Sequence, residues 1–239
     1  MDEPFHVRQT QAYCAGRWNE WDDKITTFPG LYVIAAAAAQ LGGAACGLPE
    51  LRALNLLPAL ATPALVYKLL GNLHPSAAPS DLLANAALLT ILPMHFFFHF
   101  LYYTDSAATC SVLLLLALLH SRPGASRRRG LAMGAAAVLA VSFRQTNAVW
   151  VAFAVGSGAL HDLHALGALK GASLAGALTD VVRALPTLAP LLVRCYLPPL
   201  VVLVAFAAFV VRNGGVVLGD KAHHAMLGGA PRKVEFVVA

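Results

Sequence analysis

Charge is scarce in this chain. Only 12% of its 239 residues are Asp, Glu, Lys or Arg, against 58% hydrophobic residues, and soluble domains carry about 25% charge. With a mean hydropathy of +0.66, so little charge cannot cover a soluble fold of this length, whereas a bilayer removes the need. Cysteine is sparse as well. Cys14, Cys46, Cys110 and Cys195 stand without paired spacing, three of them in or beside apolar runs, so neither a disulfide framework nor a zinc site is expected. The first residues lack a basic n-region and an apolar h-region: Met1 is followed at once by Asp2 and Glu3, so no signal peptide is read there.

What the sequence does have is long apolar runs, which a soluble core seldom shows. Leu31 to Leu48 is just long enough to span a bilayer, although its alanines and glycines make it a weak membrane solute. Leu51 to Leu73 follows, with Pro58 and Pro63 inside it; in a bundle, neighbouring groups can satisfy the carbonyls that proline frees. Leu82 to Tyr103 reads as a clear third span ending in the aromatic cluster HFFFHFLYY. Ala107 to His120 is leucine-rich but short. Leu131 to Leu160 is interrupted by Arg144-Gln145-Thr146-Asn147, residues 161–184 read as a loop or an interfacial helix, and Leu185 to Val211 is the last strong span. The expected fold is therefore all-α, a polytopic transmembrane helical bundle.

The net charge of +5 comes largely from Arg122, Arg127, Arg128 and Arg129 in the short loop 121–130. A basic loop between spans marks the cytosolic face rather than a nucleic-acid patch, and no nucleic acid is expected as a partner. Residues 1–30 are polar and hold Asp2, Glu3, Glu20, Asp22 and Asp23, five of the twelve acidic residues. If they face the lumen and the arginine loop faces the cytosol, an odd number of crossings separates them. Four candidate runs lie between, so one of them is re-entrant, in-plane or mis-bounded; Leu51–Leu73 and Ala107–His120 are the first choices. The expected organisation is a luminal segment 1–30, a membrane region 31–211 and a polar luminal segment 212–239.

Ionisable groups at membrane depth are costly and therefore mark sites. Arg144, within an apolar run, needs a carboxylate, a phosphate or a water-filled cavity. His95 and His99, four residues apart, could pair on a metal, but no third ligand stands near them and two interfacial histidines explain the spacing as well. Asp105 alone reads as a helix cap. The first segment is denser. Asp2, Glu3, His6, Arg8 and Gln9, then Tyr13, Trp18, Trp21, Asp22, Asp23 and Lys24, precede a Pro-Gly turn into the membrane. Carboxylates beside cations at such a surface can take a proton from a hydroxyl while an anionic group is held; an ordinary solvated loop with interfacial tryptophans is the competing reading.

The opening D-E-x-F-H-V-x-Q-x-Q-x-Y-C (Asp2 to Cys14) and W-D-x-K-I-T-T-x-P-G-L-Y (Trp21 to Tyr32) resemble the first luminal loop of the dolichyl-phosphate-glucose-dependent alpha-1,2-glucosyltransferases of the endoplasmic reticulum. FLYYTDS (Phe100 to Ser106), FRQTNAVW (Phe143 to Trp150) and VRNGGVVLGDKAHH (Val211 to His224) resemble the same family in the same order. Asp23 departs from it, standing where the family usually has proline. The family has a span before the first motif and continues beyond the last, so this chain is expected to be truncated at both ends.

The resemblance implies a C-type glycosyltransferase architecture, multi-pass in the endoplasmic reticulum membrane, with its active site at the lumen. It implies transfer of glucose, with inversion, from dolichyl-phosphate-glucose to a diglucosylated, dolichyl-diphosphate-linked oligosaccharide, with membrane lipid as the surroundings. Inversion asks for one carboxylate as general base. Asp2 is at the matching position and Asp22 is the second candidate. Glu3, His6, Gln9, Trp21, Lys24 and Asp105 are expected to support the base or contact substrate. Arg144, with Gln145 and Asn147 beside it, is the first choice for the leaving phosphate, backed by Arg212, Lys221 and His224. No nucleotide-sugar or metal motif is present, so no metal and no obligatory cofactor are expected. From another class, a non-catalytic auxiliary membrane protein would tolerate Asp2→Asn, whereas the transferase would not. A small transporter would want an inverted repeat, and none is visible.

Overall fold

A computed structural model of the chain describes residues 2–43, 45–121, 126–168 and 174–219. Every regular element among them is a helix: α1 (Glu3–Cys14), α2 (Gly30–Gly42), α3 (Leu48–Leu73), α4 (Pro79–Thr90), α5 (Pro93–His99), α6 (Thr104–Leu119), α7 (Arg127–Phe143), α8 (Asn147–Ala165), α9 (Leu174–Leu191), a π-helical turn (Leu192–Tyr196) and α10 (Leu197–Asn213). Leu48–Leu73 and Ala189–Asn213 are long and apolar enough to cross a membrane, and the bent pair α4–α5 would make a third span.

Two ends of the bundle can be told apart by their contacts. At the first, Arg52 near the start of α3 reaches Glu3 of α1, the start of α6 lies against α1, and the α7–α8 junction reaches Thr26. At the second, Asn72 near the end of α3 donates to Ala117 O of α6 at 3.1 Å, and Arg129 of α7 pairs with Asp162 of α8. Between these ends α3 runs down, α4–α5 returns, and α6 runs down again. Helix α7 comes up, α8 goes down and α10 comes up, where Leu218 N–H bonds Thr26 O at 3.3 Å.

Helix α2 does not make the trip. It starts beside α1, and the segment after it returns to α1 at once: Cys46 is disulfide-bonded to Cys14, with Cα atoms 6.5 Å apart, and its carbonyl accepts from Gln11 Nε2 at 3.0 Å. Three helical passages between the two ends, α3, the bent α4–α5 and α6, therefore separate the acidic N-terminal segment from the arginines of α7. Leu31–Leu48 stays at the first end, whereas Leu51–Leu73 and Ala107–His120, the expected exceptions, both run from one end of the bundle to the other. The disulfide also corrects the expectation of none. Cys14 ends α1 and Cys46 lies in the linker between α2 and α3, a proximity that spacing along the chain does not carry.

Proline accounts for other departures from the expected spans. Leu82–Tyr103 is not one straight helix: α4 and α5 are bent by 71°, because Pro93 opens α5 and forces Leu92 to φ −49°, ψ 129°. Pro58 and Pro63, by contrast, lie inside an unbroken α3. The apolar run 131–160 does break at Arg144, whose backbone is extended (φ −147°, ψ 120°). Asn147 Nδ2 closes the gap by donating to Ala140 O at 2.9 Å.

The core lies between α6, α7, α8 and the π-helical turn, with Leu115, Leu119, Met133, Val151, Cys195 and Tyr196 fully buried. Small residues permit this closeness. A side chain at Gly130 would collide with the Arg194 carbonyl. At the second end Asp162, 0% exposed, accepts from Arg129 Nη1 at 3.1 Å and from Tyr196 Oη at 2.7 Å. A buried carboxylate so paired joins three elements without leaving a lone charge.

This topology is tested by cysteines introduced singly and probed with a membrane-impermeant maleimide. Those at Arg17 and Gly42 are expected to react from one side of the membrane and one at Ser76 only from the other; labelling of Gly42 from the Ser76 side would make α2 a crossing.

Candidate functional site

Helix α1 is polar, yet it turns Glu3, His6, Gln9, Thr10 and Tyr13 inward. Their spacing of three and four residues puts them on one face. Burying such a face is tolerable only if its polar groups find partners, and Glu3, His6, Gln9 and Thr10 all find them. Glu3 accepts from Arg52 Nε at 2.9 Å and Nη2 at 2.6 Å, and from Tyr102 N–H at 2.7 Å. The Arg52 guanidinium holds the Glu3 carboxyl below the usual carboxylate range, with Tyr102 N–H adding to the effect and burial opposing it. Thr10 and Tyr102 share a hydrogen bond of 2.8 Å between their hydroxyls.

His6 shares a 2.5 Å hydrogen bond between Nδ1 and the Tyr32 hydroxyl. Burial pushes its pKa down to about 4, outweighing the nearby Asp2 and Glu3 carboxylates, and Arg144 adds to the fall. The imidazole is therefore neutral at neutral pH. Its ring meets that of Tyr103 edge-on at 4.7 Å.

Asp2 stands at the N-cap of α1 but does not cap it with its side chain. The exposed carboxylate instead accepts from Tyr103 Oη, at 3.2 Å from Oδ2. Burial first, then Asp2, push the Tyr103 phenol up, so it remains a donor. Two residues on, in the first turn of α6, Asp105 forms an ion pair with Arg144 through Oδ1. Its Oδ2 is buried and has no hydrogen-bond partner among the described residues. The Arg144 side chain keeps 38% of its surface exposed. One guanidinium nitrogen is engaged by Asp105, which leaves further N–H donors of the fork. The structure thus gathers Asp2, His6, Asp105 and Arg144 at one end of the bundle, from α1, α6 and the α7–α8 break.

Other expected site residues take different places. Gln9 braces the segment that follows α1, donating to Glu20 O at 2.7 Å and accepting from Asp22 N–H at 2.9 Å. Asp22 Oδ1 accepts from Lys24 N–H at 3.0 Å within a turn, and no described contact joins it to Asp2. Lys24 lies over the Phe5 ring, 5.1 Å from its centre. Trp21 packs against Tyr32, and its indole N–H is buried without a partner among the described residues. Gln145 donates to the Thr26 carbonyl and Asn147 to that of Ala140, so both amides hold backbone. Arg212 is exposed in the last turn of α10. Lys221 and His224 lie outside the described residues. His99 bonds Ser106 Oγ at 3.0 Å and its ring is 6.1 Å from that of His95; no group of three metal-ligating side chains occurs among the described residues.

Arg52, Tyr32, Tyr102 and Tyr103 were not singled out from the sequence. Arg52 carried a signal, a cation one residue into an apolar run, as did the 3-6-10-13 polar face of α1.

A bundle with long apolar helices and a partnered polar helix set across one end defines a polytopic helical membrane protein. Within that class the chain belongs to the DIE2/ALG10 family, which it matches over residues 1–231. Among curated proteins it is similar to three named Dol-P-Glc:Glc(2)Man(9)GlcNAc(2)-PP-Dol alpha-1,2-glucosyltransferase. The one from Arabidopsis thaliana is 36% identical over 67% of this chain and 33% of its own length. Those from Yarrowia lipolytica (34% identical) and Mus musculus (32%) are matched over 94% of this chain and 44% and 52% of their own lengths. The chain therefore spans between a third and about half of these relatives. No solved structure matches it.

The depressed pKa of His6 sets a pH dependence. Between about 4 and the ordinary value near 6.5 the unfolded chain binds a proton that the folded chain does not, so stability falls as pH drops through that window and is complete above it. Thermal unfolding of detergent-solubilised protein is expected to lose on the order of 2–3 kcal/mol more between pH 7 and pH 4 than its His6→Gln variant. Equal pH slopes in the two proteins would contradict the buried neutral imidazole.

Proposed function

We propose that this chain forms the catalytic end of an inverting glucosyltransferase of the endoplasmic reticulum membrane. It would move glucose from dolichyl-phosphate-glucose to a diglucosylated, dolichyl-diphosphate-linked oligosaccharide, making an alpha-1,2 bond. The names of its relatives support the substrates. The observation that carries the mechanism is the exposed Asp2 carboxylate, which does not cap its own helix and is bonded instead by Tyr103 at the end of the bundle that holds the Asp105–Arg144 pair.

In this reading Asp2 removes the proton from the acceptor's 2-hydroxyl as the oxygen attacks the anomeric carbon. The carbon–oxygen bond to dolichyl phosphate breaks with its electron pair going to the phosphate. No covalent glycosyl intermediate forms, and one carboxylate suffices. The leaving phosphate needs a cation rather than a proton. Arg144 supplies it, its guanidinium oriented by Asp105. His6, held neutral, adds no competing positive charge beside the base.

The orientation follows from two features. The Cys14–Cys46 disulfide suits an oxidising compartment, and Arg127, Arg128 and Arg129 at the opposite end suit the cytosol. The site end then faces the lumen.

In cells that lack the last glucosylation step, the full-length protein is expected to restore the third glucose of the lipid-linked oligosaccharide. Its Asp2→Asn form, inserted at the same level, is expected to lose at least about a hundredfold in turnover. Wild-type turnover in Asp2→Asn would sink the role given to Asp2 and pass it to Asp22; failure of the wild-type protein to restore glucose would sink the reaction itself.

A further inference from the structure

We propose that Tyr103 is a positioning residue for the Asp2 carboxylate, holding one of its oxygens so that the other faces the acceptor hydroxyl. The inference rests on the reading of Asp2 as general base and adds a residue to it.

The local backbone releases the Asp2 side chain. Aspartate at an N-cap ordinarily accepts from the second or third helical N–H. Here the second helical residue is Pro4, which has no N–H, and Phe5 N–H bonds the Asp2 carbonyl at 3.0 Å instead. The carboxylate is left to find another donor, and Tyr103 Oη is its hydrogen-bond partner among the described residues.

Tyr103 is itself well held. Its ring stands edge-on to His6 at 4.7 Å with an interplanar angle of 88°, and lies 5.3 Å from Phe98. Its backbone is extended at the N-cap of α6 (φ −146°, ψ 157°). A phenol gripped by two rings from different helices presents its hydroxyl at a fixed point. The Asp2 side chain, by contrast, is exposed. A general base must meet its proton within hydrogen-bond distance, and misplacement by about 1 Å can cost about a hundredfold in rate. Tyr103 also stands two residues before Asp105, the partner of Arg144. One short stretch of chain therefore sets the spacing between the base and the cation expected to meet the phosphate.

The experiment measures kcat and KM for both substrates in microsomes carrying full-length protein as Tyr103→Phe, Asp2→Asn and the double variant. Phenylalanine keeps the ring contacts with His6 and Phe98, so thermal unfolding serves as the check that the fold is retained. Tyr103→Phe is expected to lower kcat about tenfold or more with both KM values within about twofold, and to cost nothing further in the Asp2→Asn background, since residues that act as a unit are not additive. Loss of turnover in Asp2→Asn with wild-type kcat in Tyr103→Phe would overturn this inference alone. An equal further loss in the double variant would also overturn it, because Tyr103 would then act independently of Asp2. Wild-type turnover in Asp2→Asn would overturn the reading of the base, and this inference with it.

Discussion

Glu3 accepts two N–H groups from Arg52 of α3 and one from Tyr102 at the entrance to α6, and the polar end of the bundle is assembled around that carboxylate. Charge-assisted, bidentate bonds of this kind are directional as well as strong. They fix the first turn of α1 at once against a long spanning helix and against the start of another. Asp2 precedes Glu3 and Tyr103 follows Tyr102. Two residues 101 positions apart in the sequence meet because their immediate neighbours are tied together.

The same logic appears at the other end, where Asp162 joins Arg129 and Tyr196. Between apolar helices a bilayer supplies little hydrophobic drive, so small-residue packing and polar pairs must hold the bundle. Gly130 lets α7 approach the Arg194 carbonyl closely, and the buried carboxylate fixes the register. The two polar clusters differ in exposure. Asp162 is sealed, while Asp2 is open and Arg144 keeps part of its surface exposed. Sealed pairing suits a structural joint; open pairing leaves donors and acceptors for a ligand.

Much of this was legible in the sequence. The all-helical membrane fold follows from scarce charge and long apolar runs, and Arg144 stood out because a guanidinium at that depth needs a partner. That the partner is Asp105 was not legible, since the pairing depends on how α6 lies against the α7–α8 break. That the chain turns back to α1 after α2 was not legible, because the composition of α2 permits a span; the return of Cys46 to Cys14 shows it. The bend before Pro93 was readable in principle, as Leu92 precedes a proline. The tyrosines of the site were harder. Tyr32, Tyr102 and Tyr103 look like interfacial aromatics in the sequence, and their hydroxyls acquire roles only when α1 is folded over them.

In the proposed reaction Asp2 is the general base and Arg144 meets the donor phosphate, both acting on the same sugar. A cryo-EM structure of the full-length protein with dolichyl-phosphate-glucose and an unreactive acceptor analogue tests this directly. The expected result has an Asp2 oxygen about 3 Å from the acceptor position that would carry the 2-hydroxyl, with Arg144 on the phosphate. A donor bound elsewhere, or an Asp2 carboxylate facing away from the acceptor while another carboxylate meets it, would contradict the account.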